Sequence, residues 1–186
     1  MKLSVREWQE DDIERIVGYF TFASPDFLLG MGVDINKVPN KEVWFEKLQE
    51  DFKKDNREKD RYYIIWQIDG KSIGHSNINK IITGKEAYIH LHIWEEELRY
   101  KGIALQFLKK TIPYYFSNYK LQGLFCEPYA FNLAVNKALI KVGFEFIKQY
   151  ETTPGWINFH QKVNRYLMTK ERFEEKIESD ITRSLI

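Results

Sequence analysis

The 186-residue sequence predicts a mixed α/β (α+β) single domain with an open central sheet flanked by helices. Three observations lead there. Segments of period two and segments of helical period both recur along the chain, so neither an all-helical nor an all-strand architecture fits. The second half runs strand, helix, strand, helix, two strands, which puts a partly parallel segment into a mixed sheet. No internal repeat, low-complexity tract or Pro/Gly/Ser-rich linker divides the chain, and its length suits one core.

The elements follow in order. LSVREWQ alternates as a first strand. DDIERIVGYF opens with acids, which favour the positive end of a helix, and spaces Ile13, Ile16, Val17 and Phe20 at helical intervals. SPDFLLGMGVDINKVPN reads as irregular, with a short helix before Gly30 and Gly32. KEVWFEKLQEDFKK predicts a helix with Val43, Trp44, Leu48 and Phe52 on one face, and KKDNREKD a solvated turn. RYYIIWQIDGKSIGHSNINKI is a hairpin around Asp69-Gly70, a strong turn dipeptide. EAYIHLHIW adds a neighbouring strand after a turn at Gly84. A helix then starts near Tyr100 with Ala104, Leu108, Ile112 and Phe116 on one stripe. Pro113 lies inside it, and its missing N–H predicts a kink or an early end there. LQGLFCE is a short buried strand. NLAVNKALIKVGF is a helix turning Val135, Ala138, Leu139 and Val142 inward, with Gly143 as its C-terminal cap. FEFIKQYET and WINFHQKVNRYLM are two late strands around Pro154-Gly155, and TKERFEEKIESD is a charged terminal helix.

Composition removes several function classes. The formal net charge of +1 gives no global basic field to recommend nucleic acid or an anionic membrane as partner. No apolar run approaches a membrane span, and MKLSVREWQEDD lacks a secretory core and cleavage site, so a cytoplasmic location is expected. The lone Cys126 excludes an intrachain disulfide and a cysteine-based zinc site; it reads as core, and no metal is expected.

The chemistry concentrates at RYKGIA, residues 99–104, where an alternating segment gives way to helical spacing. The first amides of a helix lack internal partners and lie at its positive end, so a phosphate suits both needs. Gly102 and Ala104 keep the turn open to a diphosphate, and Arg99 and Lys101 add positive charge. Arg99, Gly102 and Ala104 match the Q/R-x-x-G-x-G/A signature of the GCN5-related N-acetyltransferases, which the chain resembles, particularly the branch of ribosomal-protein N-terminal acetyltransferases. The resemblance extends to LFCEPYAFNLAVNKALIKVGF, where Asn132 stands eleven positions before Gly143-Phe144, and covers about residues 3–169.

The resemblance implies a mostly antiparallel sheet splayed at strands 4 and 5, a domain over 1–169, and acetyl-CoA as cosubstrate. Backbone amides of Tyr100, Lys101, Gly102, Ile103, Ala104 and Leu105 would hold the pyrophosphate. Leu91 and Ile93 would pair with the pantetheine arm, Asn132 would bond it, and Lys137 would reach the cofactor. The function implied is acetyl transfer to a primary amine, either a protein N-terminus or a small molecule, by direct attack in a ternary complex. A non-catalytic acyl-CoA-binding regulatory module is the alternative.

His90 and His92 share one face of the strand before the turn. His92 is the first candidate for the base and His90 the second; a base acting through water, or a half-buried pair packing beside Trp94, are the other readings. The His-Leu-His order is similar to that of arylalkylamine acetyltransferases, displaced by two residues, while Tyr88 stands where histone-type members have glutamate. Leu139 and Val135 occupy the positions where family members carry a tyrosine or a serine as proton donor, so that water or another tyrosine, such as Tyr129, would serve, or turnover would be modest. An acceptor pocket would draw on Phe27, Leu28, Met31, Trp44, Trp156 and Phe159, with Glu151 as a carboxylate for an ammonium. Residues 170–186 lie outside the resemblance and either dock on the domain or support a homodimer.

Overall fold

The structure, a computed structural model, describes residues 1–56, 58–99 and 101–184. Strand β1 (Leu3–Glu7) leads to helices α1 (Ile13–Thr21), α2 (Pro25–Gly30) and α3 (Lys41–Lys53). Strands β2 (Arg61–Ile68), β3 (Lys71–Ile82) and β4 (Glu86–Ile93) follow, then α4 (Ile103–Tyr119), β5 (Gly123–Cys126) and α5 (Leu133–Val142). Strands β6 (Glu145–Thr152) and β7 (Gln161–Thr169) and helix α6 (Lys170–Ser184) complete the chain.

Local chemistry sets these boundaries. The Asp12 carboxylate caps the Gln9 amide and pairs with Arg6 at 2.7 Å, fixing the turn that starts α1. Asn40 caps α3 by accepting from the Glu42 amide at 2.8 Å. Buried Asp51, near the end of that helix, accepts from the amides of Asp60 and Arg61, so one carboxylate anchors the start of β2. Asp69 and Gly70 both take positive φ, +47° and +83°, as the tight hairpin between β2 and β3 requires.

The seven strands lie in the order β1-β2-β3-β4-β5-β7-β6, with every pair antiparallel except β4 and β5. Alternation along β2 divides the interior. Tyr62, Ile64 and Trp66 enter the larger core with α4, where Trp66 stacks on Phe107 at 5.0 Å and donates to Thr111. Tyr63 and Ile65 face the smaller core beneath α1 and α3. The terminal helix packs its first turn onto the larger core: Phe173 is buried against Phe116, and Arg172 donates to the Gly143 carbonyl.

Four expectations are corrected. Val43 is 55% exposed, because Trp44 and Leu48 occupy the buried stripe and Val43 lies about 100° around the helix from Trp44. Helix α4 begins at Ile103, since Gly102 before it is left-handed; Tyr100 itself lies outside the described residues. The helix also continues six residues past Pro113 to Tyr119, since the ring sits on the exposed side while Ile112, Tyr115 and Phe116 stay buried. The last strand starts at Gln161 rather than Trp156. Residues 153–160 form a loop instead, held by a bridge between Asn158 and Val33.

Candidate active site

A cavity of about 830 Å³ opens where β4 and β5 part. Their parallel pairing covers only Glu86–Tyr88 of β4, although β4 continues to Ile93. The Trp94 amide bonds the Ile73 carbonyl on the β3 side. By alternation, Leu91 and Ile93 turn their backbone groups the other way, toward the gap. Gly74 makes the end of β4 fit against β3, because a Cβ there would lie 2.4 Å from the His92 carbonyl oxygen.

The far wall of the gap is the N-terminus of α4. Gly102 has φ +73°, and a Cβ built on it would meet nothing within 4 Å, so the glycine is required by conformation and the space beside it is open. The amides of Ile103 and Ala104 belong to the first helical turn, where no internal acceptor exists. Those of Arg99 and Leu105 are already bonded, to the carbonyls of Glu96 and Gly102. The Arg99 side chain folds back: it donates to the carbonyls of Ile93 and Trp94 and lies 3.9 Å from the Phe27 ring centroid. Across the gap, the Asn132 side chain caps α5 through the Val135 amide. Asn136 secures the loop before it, donating toward the carbonyls of Tyr129, Ala130 and Asn132 while accepting from Asn164 and Tyr166.

The two histidines stand on a patterned floor. Sheet register sets Ile65, His75 and His92 in one row, Tyr63, Asn77 and His90 in the next, and Arg61, Asn79 and Tyr88 in a third. His75 is fully buried and accepts from the Trp94 indole at 2.9 Å through Nδ1, and its ring lies 4.8 Å from that of His92. Burial pushes His75 down to about 3, with the charge of His90 adding. Burial also takes His90 to about 4, helped by Lys80 and Arg61. His92 is held well below its ordinary value by burial and by His75 and His90. His90 Nε2, His92 Nδ1 and Asn79 Oδ1 are buried without a hydrogen-bond partner.

Of the residues expected at the site, His90, Leu91, His92, Ile93, Arg99, Gly102, Ile103, Ala104, Leu105, Asn132 and Lys137 line the cavity. Lys101 is exposed and stands off it, and Tyr100 is outside the described residues. Phe27, Met31, Trp44, Trp156 and Tyr129 also line it. Leu28 is instead buried in the smaller core, Phe159 packs on Tyr129, and Glu151 is solvent-facing, 4.0 Å from His160.

Sequence reasoning missed His75, Asn77 and Asn79, although GHSNIN shows alternating polar residues on the strand beside the histidine pair. It also missed Glu127, which lines the cavity while bonded to Tyr150 and 3.3 Å from Arg165. Among the described residues no group of three or more His, Cys, Asp or Glu is placed to hold a metal ion. None of their helices is long and apolar enough to cross a membrane.

No curated protein matches the sequence. Among solved structures, the chain is similar to a RimL ribosomal L7/L12 α-N-protein acetyltransferase in complex with coenzyme A (TM-score 0.72, 17% identity, covering 91% of this chain and 94% of that one). It is also similar to a spermidine N-acetyltransferase from Vibrio cholerae in complex with CoA and spermine (TM-score 0.74, 16% identity, 92% and 98% covered). A third is the aminoglycoside acetyltransferase AAC(6')-Ib in complex with coenzyme A and kanamycin (TM-score 0.72, 13% identity, 94% and 98% covered). At these identities the likeness establishes the shared fold. In sequence, residues 2–145 match the acetyltransferase (GNAT) domain. The chain therefore belongs to the GNAT acetyltransferase family.

Proposed function

We propose that the chain transfers the acetyl group of acetyl-CoA to a primary amine by direct attack in a ternary complex. The observation that carries this reading is one cavity with two unlike ends: the first amides of α4 beside left-handed Gly102, and the histidine-bearing floor. Family membership supports acetyl transfer, and the named activities of the similar proteins support an amine as acceptor. The residues fit the cosubstrate, because the space beside Gly102 is open and the Ile103 and Ala104 amides need acceptors. On this reading those amides hold the pyrophosphate, Leu91 and Ile93 pair with the pantetheine arm, and Asn132 bonds it from the opposite lip. Lys137, exposed on α5, meets the outer phosphate.

The amine attacks only when neutral, and an amine with a pKa of about 10.4 is almost wholly protonated at pH 7. His90 and His92, both neutral there, offer lone pairs that orient the free amine. As the C–N bond forms, the nitrogen becomes acidic and hands its proton to His92, directly or through water. A backbone N–H of the splayed strand polarises the thioester carbonyl. The C–S bond breaks, and the departing thiolate takes a proton from water or from Tyr129, whose loss solvent makes good as His92 releases the proton it received. Cys126 takes no part: burial raises its thiol to about 12.

Thermal unfolding with added acetyl-CoA tests the reading, with dephospho-CoA and NAD as controls. At a hundredfold excess over Kd the stabilisation is about 2.7 kcal/mol. Gly102→Glu abolishes it, while Gly102→Asn, which tolerates the left-handed backbone, retains it. Absence of any shift with wild-type protein overturns the proposal. A non-catalytic acyl-CoA-binding module is favoured by one observation: Leu139, where a tyrosine donor would stand, is fully buried in the core. Release of free CoA on adding an amine excludes it.

A further inference from the structure

We propose that the acceptor is an amine bearing a single positive charge on an aromatic or bulky aliphatic body, and that the site turns polycations away. This deepens the acetyl-transfer reading of the same cavity and rests on it.

The three rows of the floor contain no carboxylate at any of their nine positions. What they offer a ligand is hydrogen bonding, through the unpartnered His92 Nδ1, His90 Nε2 and Asn79 Oδ1. An amine satisfies such atoms with its N–H groups and needs no counter-ion once neutral.

The roof is aromatic. Tyr19 and Phe20 lie with ring centroids 5.2 Å and 5.1 Å from His92, Trp44 lies 5.0 Å from Phe20, and Trp156 lies 5.4 Å from Trp44. A flat or branched apolar body dehydrates well against such a surface, whereas a second ammonium would lose its water there without replacement.

Charge points the same way. Among the described residues, the carboxylates lining the cavity are Asp26 and Glu127. Glu127 is engaged by Arg165 and the Tyr150 hydroxyl, and Asp26 is exposed. Cations crowd the far row instead. Arg61 belongs to it and lies 6.0 Å from the Trp156 ring, with Lys47 5.4 Å from the same ring. Lys80 sits 4.7 Å from the Tyr88 ring, tethered to the Pro154 carbonyl. A polyamine arm reaching beyond His90 would meet the cationic groups of Arg61 and Lys80.

The test compares phenethylamine and a short peptide beginning with Phe against spermidine and kanamycin, following release of free CoA from acetyl-CoA and, separately, acceptor binding by calorimetry. The expected result is a kcat/KM at least about tenfold higher for an apolar monoamine than for either polycation, with the gap narrowed by Arg61→Glu. The phenethylamine and peptide arms separate a free amine from a protein N-terminus. Equal or better use of spermidine or kanamycin overturns the inference and leaves acetyl transfer standing. If no acceptor turns over, the calorimetric order decides: tighter phenethylamine or Phe-peptide binding sustains it, and equal, reversed or absent binding overturns it. A missing acetyl-CoA shift is a different failure, that of the transferase reading.

Discussion

His75 shows how one side chain governs others. With the Trp94 indole donating to its Nδ1, the ring keeps its own proton on Nε2 and stands 4.8 Å from His92. Because burial lowers His75 and His90 below an unfolded value of about 6.5, folding stability is full above that pH. It is lost as pH falls toward about 4 for His90 and about 3 for His75. Between pH 7 and pH 5 each histidine should cost about 2 kcal/mol, since the unfolded chain gains a proton the folded chain refuses. Urea midpoints across that range should therefore drop, with a shallower slope in His75→Gln. The rate should behave differently: kcat/KM should rise with pH toward the pKa of the acceptor amine, with no histidine inflection between pH 5 and 8. Asn136 makes the comparable case for structure. Asn136→Leu orphans the groups that Asn164 and Tyr166 present and the carbonyls of the Tyr129–Asn132 loop, and should cost about 3 kcal/mol by denaturant titration.

At the scale of elements, β4 does two jobs with one backbone. Its first half is an ordinary sheet member, paired on both sides. Its second half keeps β3 and loses β5, so its free edge faces the first turn of α4. Gly74 protects that arrangement, and Gly74→Val should displace the end of β4 from β3. The expected readout is a loss of acetyl-CoA stabilisation larger than the loss in unfolding midpoint. Helix α4 offers a control beyond the first turn that walls the gap. Pro113 breaks its hydrogen-bond ladder on an exposed face, so Pro113→Ala should raise stability by about 1 kcal/mol and leave acetyl-CoA binding unchanged.

Across the molecule, what the sequence made legible was whatever is encoded locally. The Asp69-Gly70 hairpin, the strand-to-helix turn at Gly102 and the Asn132 helix start each depend on a few adjacent residues, and each lies where its spacing places it. What could not be read depends on partners distant in sequence. His75, Asn77 and Asn79 gain meaning only when register sets them beside His92, His90 and Tyr88. The sequence places the positive charge of Arg99 beside the turn, and only the folded chain shows its side chain donating to the carbonyls of Ile93 and Trp94. Residues 156–160 have strand-like composition, yet contacts with the segment after α2 win. There Asn158 and Gln161 both donate to the Gly32 carbonyl at 2.8 Å, and the Asp34 amide bonds the Ile157 carbonyl. These bonds join the segment carrying Met31 to the one carrying Trp156, two walls of the same cavity. Because two donors share one acceptor, the junction has redundancy: either Asn158→Ala or Gln161→Ala leaves the carbonyl satisfied, and only the pair leaves it bare. A double-mutant cycle should accordingly show the second loss costing more than the first, by about 1 kcal/mol or more, whichever is made first.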